Sequence, residues 1–202
     1  LNNVKTAEDF ALFETLGWNP DKGFSLLDQH LKRMQNSANF FGITFVEAEA
    51  KSRLEVAVSK VEVCVPQRVK LTLSGAGAVI VECQAFAGRA LDEEMPALDA
   101  PEGLPNQLMA LCKTPVQADD PLLLHKTTNR GVYERARSEV PEGVEPMMFN
   151  QAGEITESDI ANIVYRLEGQ LFTPPLSSGL LPGTLRGHLL NQGALAERCL
   201  LY

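Results

Sequence analysis

The chain has 202 residues, 45 % of them apolar, and a formal net charge of -8. That length can bury a core as one large domain or two small lobes, and the acidic balance argues against nucleic acid or an anionic membrane as main partner, since either would be repelled over most of the surface. No apolar run approaches the roughly 20 residues that span a bilayer, and Leu1-Asn2-Asn3-Val4-Lys5 lacks the regions of a secretory signal, so a cytoplasmic protein is expected.

Residues 10–16 read as a mostly buried strand, and Asn19-Pro20-Asp21-Lys22-Gly23 has turn chemistry before a second short strand over 24–27. Asp28 is the expected N-cap of a helix that places Leu31, Met34, Ala38 and Phe41 on one face and ends at Gly42. Thr44 followed by Glu47 makes a capping box, opening a second helix with Ala50, Leu54, Ala57 and Val61 inward. Strands over 68–74 and 78–86 meet at Gly75-Ala76-Gly77, which is too short for a phosphate loop and reads as a hairpin turn.

From Gly88 to Gln107 the composition turns to Pro, Asp, Glu and Gly without sustained periodicity. The expected division is therefore an N-terminal α/β lobe over 1–87, a linker over 88–107 and a strand-rich C-terminal lobe over 108–202. In the last of these, apolar segments fall at 108–113, 147–150 and 162–167, with helices near 128–138 and Thr184–Asn191.

Cys64, Cys83, Cys112 and Cys199 lie far apart, without the CxxC spacing of a zinc or redox site, and read as reduced thiols. His30 and His188 fall on predicted helices with no second ligand at i+4, so no metal is assigned. Lys126 is different. It follows Leu122-Leu123-Leu124, and a strand that carries a lysine out of an apolar core holds the amine where desolvation disfavours the charged form and leaves a nucleophile. His125, next to it on such a strand, points to the opposite face and reads as packing.

Two further islands follow Leu122-Leu123-Leu124-His125-Lys126-Thr127-Thr128-Asn129-Arg130: Glu154-Ile155-Thr156-Glu157 with Ala161-Asn162, then Thr173-Pro174-Pro175 with Gly179-Leu180-Leu181-Pro182-Gly183-Thr184-Leu185-Arg186. This layout resembles the fold-type IV pyridoxal phosphate enzymes, the class IV aminotransferase-like family, from Phe10 to Leu200. Within that family the His125-Lys126-Thr127-Thr128 context most resembles the aminodeoxychorismate lyases, including the form fused to p-aminobenzoate synthase component I. The resemblance implies a two-lobed α/β (α+β) fold, D-amino acid aminotransferase-like, with pyridoxal 5'-phosphate between the lobes. It also implies a homodimer, and a fused or associated aminodeoxychorismate synthase as partner.

Such a cofactor asks a protein for a lysine, an acid on the pyridine nitrogen, an anion site and apolar cover for the ring. By resemblance, Lys126 is the lysine. Glu157 is the acid, because Gly153 to Asn162 matches the family's Gly-x-x-x-Glu-x-x-x-x-Asn arrangement, with Asn162 supporting the backbone. Arg33, in His30-Leu31-Lys32-Arg33, reaches the phosphate, which a fork of donors suits. Thr184 and Leu185 supply backbone amides where a glycine turn opens a helix, although aminotransferase relatives often carry Thr in place of Leu185. Leu181 covers a ring face, Thr15 is a pocket threonine, and Lys70 meets a substrate carboxylate. Tyr133, seven residues after Lys126, is not at the place of the aminotransferase tyrosine near the cofactor hydroxyl and reads as packing.

The implied reaction converts 4-amino-4-deoxychorismate to p-aminobenzoate and pyruvate. Ala161 before Asn162 favours it, since branched-chain aminotransferases generally carry a glutamate there. Two rivals stand beside it: a branched-chain or D-amino acid aminotransferase on the same scaffold, and a cofactor-free domain that scaffolds a fused synthase. The absent initiator Met implies a longer parent chain, and relatives run on past the segment resembling Gly193-Ala194-Leu195-Ala196-Glu197-Arg198, where this sequence stops at Tyr202.

Overall fold

A computed structural model describes residues 10–61, 65–86 and 108–202. The expected linker and Cys64 lie outside the described residues. The chain divides into two compact units, Leu1–Pro96 with Lys126–Asn129, and Ala97–His125 with Arg130–Tyr202.

In the first unit an antiparallel sheet is built from β1 (Leu12–Asn19), β2 (Gly23–Phe24), β3 (Gln67–Leu73) and β4 (Val79–Ala85), in the order β2-β1-β3-β4. Period-two alternation sends Leu12, Leu16, Val69, Leu71 and Leu73 to one face, where they are buried. Against that face pack α1 (Leu27–Phe41) and α2 (Glu47–Ser59), over β1 and β4 respectively. Their spacing of Leu31, Met34 and Ala38, then Ala50 and Leu54, delivers the other half of the core. Each fully buried leucine stabilises the unit by roughly 1.5–3 kcal/mol relative to exposure.

Several local expectations are corrected here. The first strand runs on through Gly17 and Trp18, because the ladder with β3 extends from Leu12↔Leu73 to Trp18↔Gln67. The second strand, expected over 24–27, pairs only through Gly23–Phe24. Leu26 turns left-handed at φ 51 and becomes the residue before α1, so Asp28 sits in the first helical turn instead of capping it. There its charge meets the positive end of the helix dipole. The capping box does not form either: Val46 precedes α2 with no side-chain cap, and Glu47 pairs with Lys51 at 2.8 Å.

The segment around Lys126 joins this sheet. Phe13 N–H donates to the Lys126 carbonyl at 3.0 Å, Thr128 N–H to the Ala11 carbonyl at 2.8 Å, and Leu12 bridges Thr127 in antiparallel sense. Since β3 occupies one edge of β1, these bonds extend the sheet on its other edge. Ala11 N–H adds a bond to Thr128 Oγ1 at 2.9 Å.

The second unit carries a parallel pair, β5 (Met109–Leu111) with β6 (Glu145–Met147), and a three-stranded sheet of β7 (Tyr165–Leu167), β8 (Gln170–Thr173) and β9 (Ala196–Glu197). Its helices are α3 (Gly131–Ser138) and α4 (Thr184–Asn191), the latter with the bounds the sequence predicts. Cys112, Val116, Leu123, Ala136, Met148, Phe149 and Ile155 form its core. The expected strand through Leu122-Leu123-Leu124 is instead a 3-10 turn over Pro121–Leu124, opened by Asp120, whose carboxylate accepts from Leu122 N–H at 2.9 Å. Proline is well suited to that first helical position. Helix α3 begins later than expected because Thr127 and Thr128 are held by β1.

Cys83, Cys112 and Cys199 are free thiols. Among the described residues no helix is long and apolar enough to cross a membrane.

Candidate functional site

In the first unit, the face of the sheet turned away from the helices gathers three of the expected site residues around Phe13. Lys126 is partly buried, with its Nζ 4.7 Å from the Phe13 ring centroid, and Lys70 Nζ lies 5.7 Å from the same centroid. Both distances are within cation–π reach. Thr15 stands opposite Lys70 in the β1–β3 register. Lys70 is also 3.9 Å from Glu82 on the neighbouring strand.

Arg33 belongs to the helix-covered side. Glu14, 1 % exposed, accepts from Arg33 Nε at 2.8 Å and from Nη2 at 2.5 Å, while His30 Nδ1 stands 2.7 Å from the same carboxylate. The three-residue spacing of His30 and Arg33 puts both on one side of α1, above β1. Burial pushes the Glu14 carboxyl up, but the hydrogen bonds and charges of Arg33 and His30 outweigh it and hold the group below its ordinary value. Lys32 is exposed.

Glu14 and His30 were not legible as site residues from residue type alone. The signal was nonetheless present: in Leu12-Phe13-Glu14-Thr15-Leu16 the alternation carries a carboxylate inward between two buried leucines, and a buried charge demands a partner.

The second unit carries Glu157 and Asn162 beyond a hairpin. Gly153, at φ 80, closes the turn with its N–H on the Asn150 carbonyl at 3.0 Å, and the tyrosine ring of Tyr202 stands 3.3 Å from where a Cβ would project. Asn150 N–H then reaches the Glu154 carbonyl, and Met148 N–H the Glu157 carbonyl, each at 2.9 Å. A second tight turn follows, in which Ser158 N–H donates to the Ala161 carbonyl at 2.9 Å and Ser158 Oγ accepts from Ala161 N–H at 3.1 Å. Glu157 and Asn162 are thereby bridged. The glycine and the five-residue step to Asn162 thus have a geometric cause.

Glu157 is 3 % exposed, and its carboxylate accepts from Tyr133, Leu181 and Asn162. Tyr133 Oη donates to Oε1 at 3.0 Å, Leu181 N–H to Oε1 at 3.1 Å, and Asn162 Nδ2 to Oε2 at 3.1 Å. Asn162 also donates to the Leu181 carbonyl at 2.9 Å, the backbone support expected of it. Its other amide atom, Oδ1, lies so close to Gly183 that a Cβ there would collide with it. Gly183 precedes α4 and contributes no side-chain cap to it, and Thr184 and Leu185 open the helix partly buried, as is Leu181 before it.

Tyr133 packs against the core of the second unit, as expected, and adds a polar contact. Arg130 and Tyr133 lie three apart, with the Arg130 guanidinium 4.7 Å from the tyrosine ring centroid, and the hydroxyl is spent on Glu157. Burial raises the phenol well above its ordinary pKa, and the Glu157 charge and hydrogen bond raise it further, so the hydroxyl keeps the proton it donates. His125 is half-buried and its imidazole is pushed below the ordinary value by burial.

Chemically, a partly buried amine serves as a nucleophile or base, and a buried carboxylate directed by hydrogen-bond donors presents a fixed acceptor to a cationic or N–H-bearing group. The family described as amino-transferase class IV matches residues 11–200. A Schizosaccharomyces pombe protein described as "putative aminodeoxychorismate lyase" is 31 % identical over 196 residues, covering 94 % of this chain and 77 % of that protein. A solved Mesorhizobium loti structure, described as a "putative amino-acid aminotransferase", has 31 % identity and a TM-score of 0.82 over 96 % of this chain and 88 % of that one. A Legionella pneumophila structure, described as a "putative 4-amino-4-deoxychorismate lyase", shares the fold with a TM-score of 0.78 at 22 % identity, over 95 % and 73 % of the two chains. With the family match running over nearly all of its length, this chain belongs to the class IV amino-transferase family and is an enzyme.

Proposed function

We propose that this chain is a pyridoxal 5'-phosphate-dependent lyase that splits 4-amino-4-deoxychorismate into p-aminobenzoate and pyruvate. The observation that carries the cofactor reading is Glu157: a carboxylate buried to 3 % and fed by Tyr133, Leu181 and Asn162 suits a protonated pyridine nitrogen. When bound, the cofactor supplies an electron sink for the amine-bearing carbon of the substrate. Lys126 holds it covalently and Glu157 keeps its ring nitrogen charged. Arg33 and the backbone amides of Thr184 and Leu185 take the phosphate, and Leu181 covers the ring.

Thr15 and Lys70 are assigned to the substrate, with the Lys70 ammonium taking a carboxylate. Displaced from the cofactor by the substrate amine, Lys126 Nζ removes the proton from the amine-bearing ring carbon. The C–O bond to the enolpyruvyl group breaks, the ring becomes aromatic, and the enolpyruvate released is protonated to pyruvate. No oxidant or second substrate enters this balance. The reading includes a homodimer and a fused or associated aminodeoxychorismate synthase as partners.

Support for the lyase comes from the Schizosaccharomyces pombe relative and from Ala161 before Asn162. The Mesorhizobium loti structure, equally similar at 31 %, favours the second reading, an aminotransferase. One experiment separates them. With bound cofactor and aminodeoxychorismate as sole substrate, the lyase yields p-aminobenzoate and pyruvate in equal amounts without any keto acid. Rapid bleaching of the visible band by leucine or a D-amino acid, with no pyruvate from aminodeoxychorismate, assigns the aminotransferase. The absence of any visible band with added cofactor assigns the scaffolding domain.

A further inference from the structure

Three donors on Glu157 come from three separate places: the Leu181 amide ahead of α4, the Asn162 amide across the Ser158 turn, and the Tyr133 hydroxyl on α3. Leu181 and Asn162 are themselves tied together by the 2.9 Å bond from the Asn162 amide to the Leu181 carbonyl. Tyr133 is the contribution that α3 makes. It shares Oε1 with Leu181 N–H. A buried tyrosine hydroxyl takes a hydrogen-bond partner whatever its role, so the informative fact is which partner it takes. Here the hydroxyl ends on a buried carboxylate 24 residues away.

We propose that Tyr133 is a positioning residue for Glu157, fixing the orientation of its carboxylate and favouring its ionised form. The proposal rests on Glu157 as the partner of the cofactor nitrogen. Its physical basis is that a hydrogen bond donated to the charged form of an acid stabilises that form. The coupling is mutual, since two linked sites change each other's free energy equally. The other charged groups acting on the phenol are Arg130, over the ring, which lowers its pKa, and Asp120, which raises it.

Tyr133→Phe removes one hydroxyl and keeps the ring. In cofactor-free protein with 13C-labelled glutamate side chains, the Glu157 carboxyl should titrate about one pH unit higher in Tyr133→Phe than in the unaltered chain. With pyridoxal 5'-phosphate bound, the same substitution should lower kcat about tenfold, the equivalent of one pKa unit, with little change in KM. The pH at which the visible band changes should shift as well. Unchanged carboxyl titration and unchanged kcat, with only a lower melting temperature, would reduce Tyr133 to packing and overturn the proposal.

Should Tyr133→Phe not fold, the reciprocal measurement serves. Glu157→Gln should lower the Tyr133 phenol in an ultraviolet titration while burial still holds it above its ordinary value, and an unmoved phenol overturns the coupling. If Glu157→Gln binds cofactor and turns over normally while Tyr133→Phe still moves the Glu157 titration, the ring-nitrogen reading of Glu157 fails and the Tyr133–Glu157 coupling stands.

Discussion

Phe13 donates its backbone N–H to the carbonyl of Lys126 at 3.0 Å, and its ring stands 4.7 Å from the Lys126 ammonium. One residue of β1 therefore fixes both ends of the lysine, backbone and side chain. The Leu12–Thr127 bridge between them sets the register, so that Lys126 emerges on the Phe13 side and Thr127 is buried on the Leu12 side. Lys70 Nζ lies 5.7 Å from the same ring centroid, which makes the two amines competitors in a chemical test.

Borohydride reduction with bound pyridoxal 5'-phosphate should fix the cofactor on Lys126 alone, and Lys126→Arg should abolish the adduct and the activity. Peptide mapping of the adduct to Lys70 would reassign the reactive amine.

Glu14 gives a pH prediction with a definite sign. Its carboxyl is held below the ordinary value of 4.5 in the folded chain, burial being outweighed by Arg33 and His30. The stability it contributes is therefore fully present above the unfolded value and is lost as pH falls through the folded one. Urea unfolding midpoints should fall on acidification below about pH 4.5. Glu14→Gln should flatten that acid dependence and lower stability at neutral pH, where Arg33 loses its ionised partner. An acid profile unaltered by the substitution would show that the ion pair is not linked to folding.

Arg33 and Glu157 should fail differently. Glu157→Gln should retain cofactor and slow turnover by about a hundredfold, on the scale of roughly 1.5–3 kcal/mol for a charged hydrogen bond. Arg33→Ala should weaken cofactor binding by a similar factor, but it also leaves the buried Glu14 carboxylate without its guanidinium, with His30 still beside it. The double change Arg33→Ala, Glu14→Gln restores folding stability without restoring affinity if Arg33 binds the phosphate. Recovery of both together would assign Arg33 a structural role only. Cofactor titrations and urea melts on the same three proteins decide between these outcomes.

Gly183 tests the packing beneath Glu157. Its φ of -60 is open to any residue, so the constraint is space: a methyl group would strike Asn162 Oδ1. Gly183→Ala should cost about 1–3 kcal/mol, the usual range for overpacking, and should weaken cofactor binding by displacing the Asn162 amide from Glu157. Adding Asn162→Ala should recover part of the stability and none of the affinity. A single variant as stable as the unaltered chain would remove the steric argument.

Local periodicity carried several parts of the fold. Alternation located the β3–β4 hairpin to within a residue or so, helical spacing identified Leu31, Met34, Ala38, Ala50 and Leu54 as core, and a glycine ahead of an amphipathic run gave α4 its bounds. The sequence also put Glu157 and Asn162 in one motif, since both lie on consecutive tight turns. What it could not supply were pairings made between distant segments. The Leu122-Leu123-Leu124 run reads as a strand by composition, yet Asp120 and Pro121 wind it into a 3-10 turn, and the extended pairing begins only where Lys126 meets β1. Tyr133 is an ordinary helical residue until α3 brings its hydroxyl to Glu157, and His30 and Arg33 are surface residues of an amphipathic helix until Glu14 draws them inward. Periodicity records which face of an element is buried; which buried charges and hydroxyls meet is decided by tertiary packing, because an unpaired polar group in a core is costly enough to select its partner from anywhere in the chain.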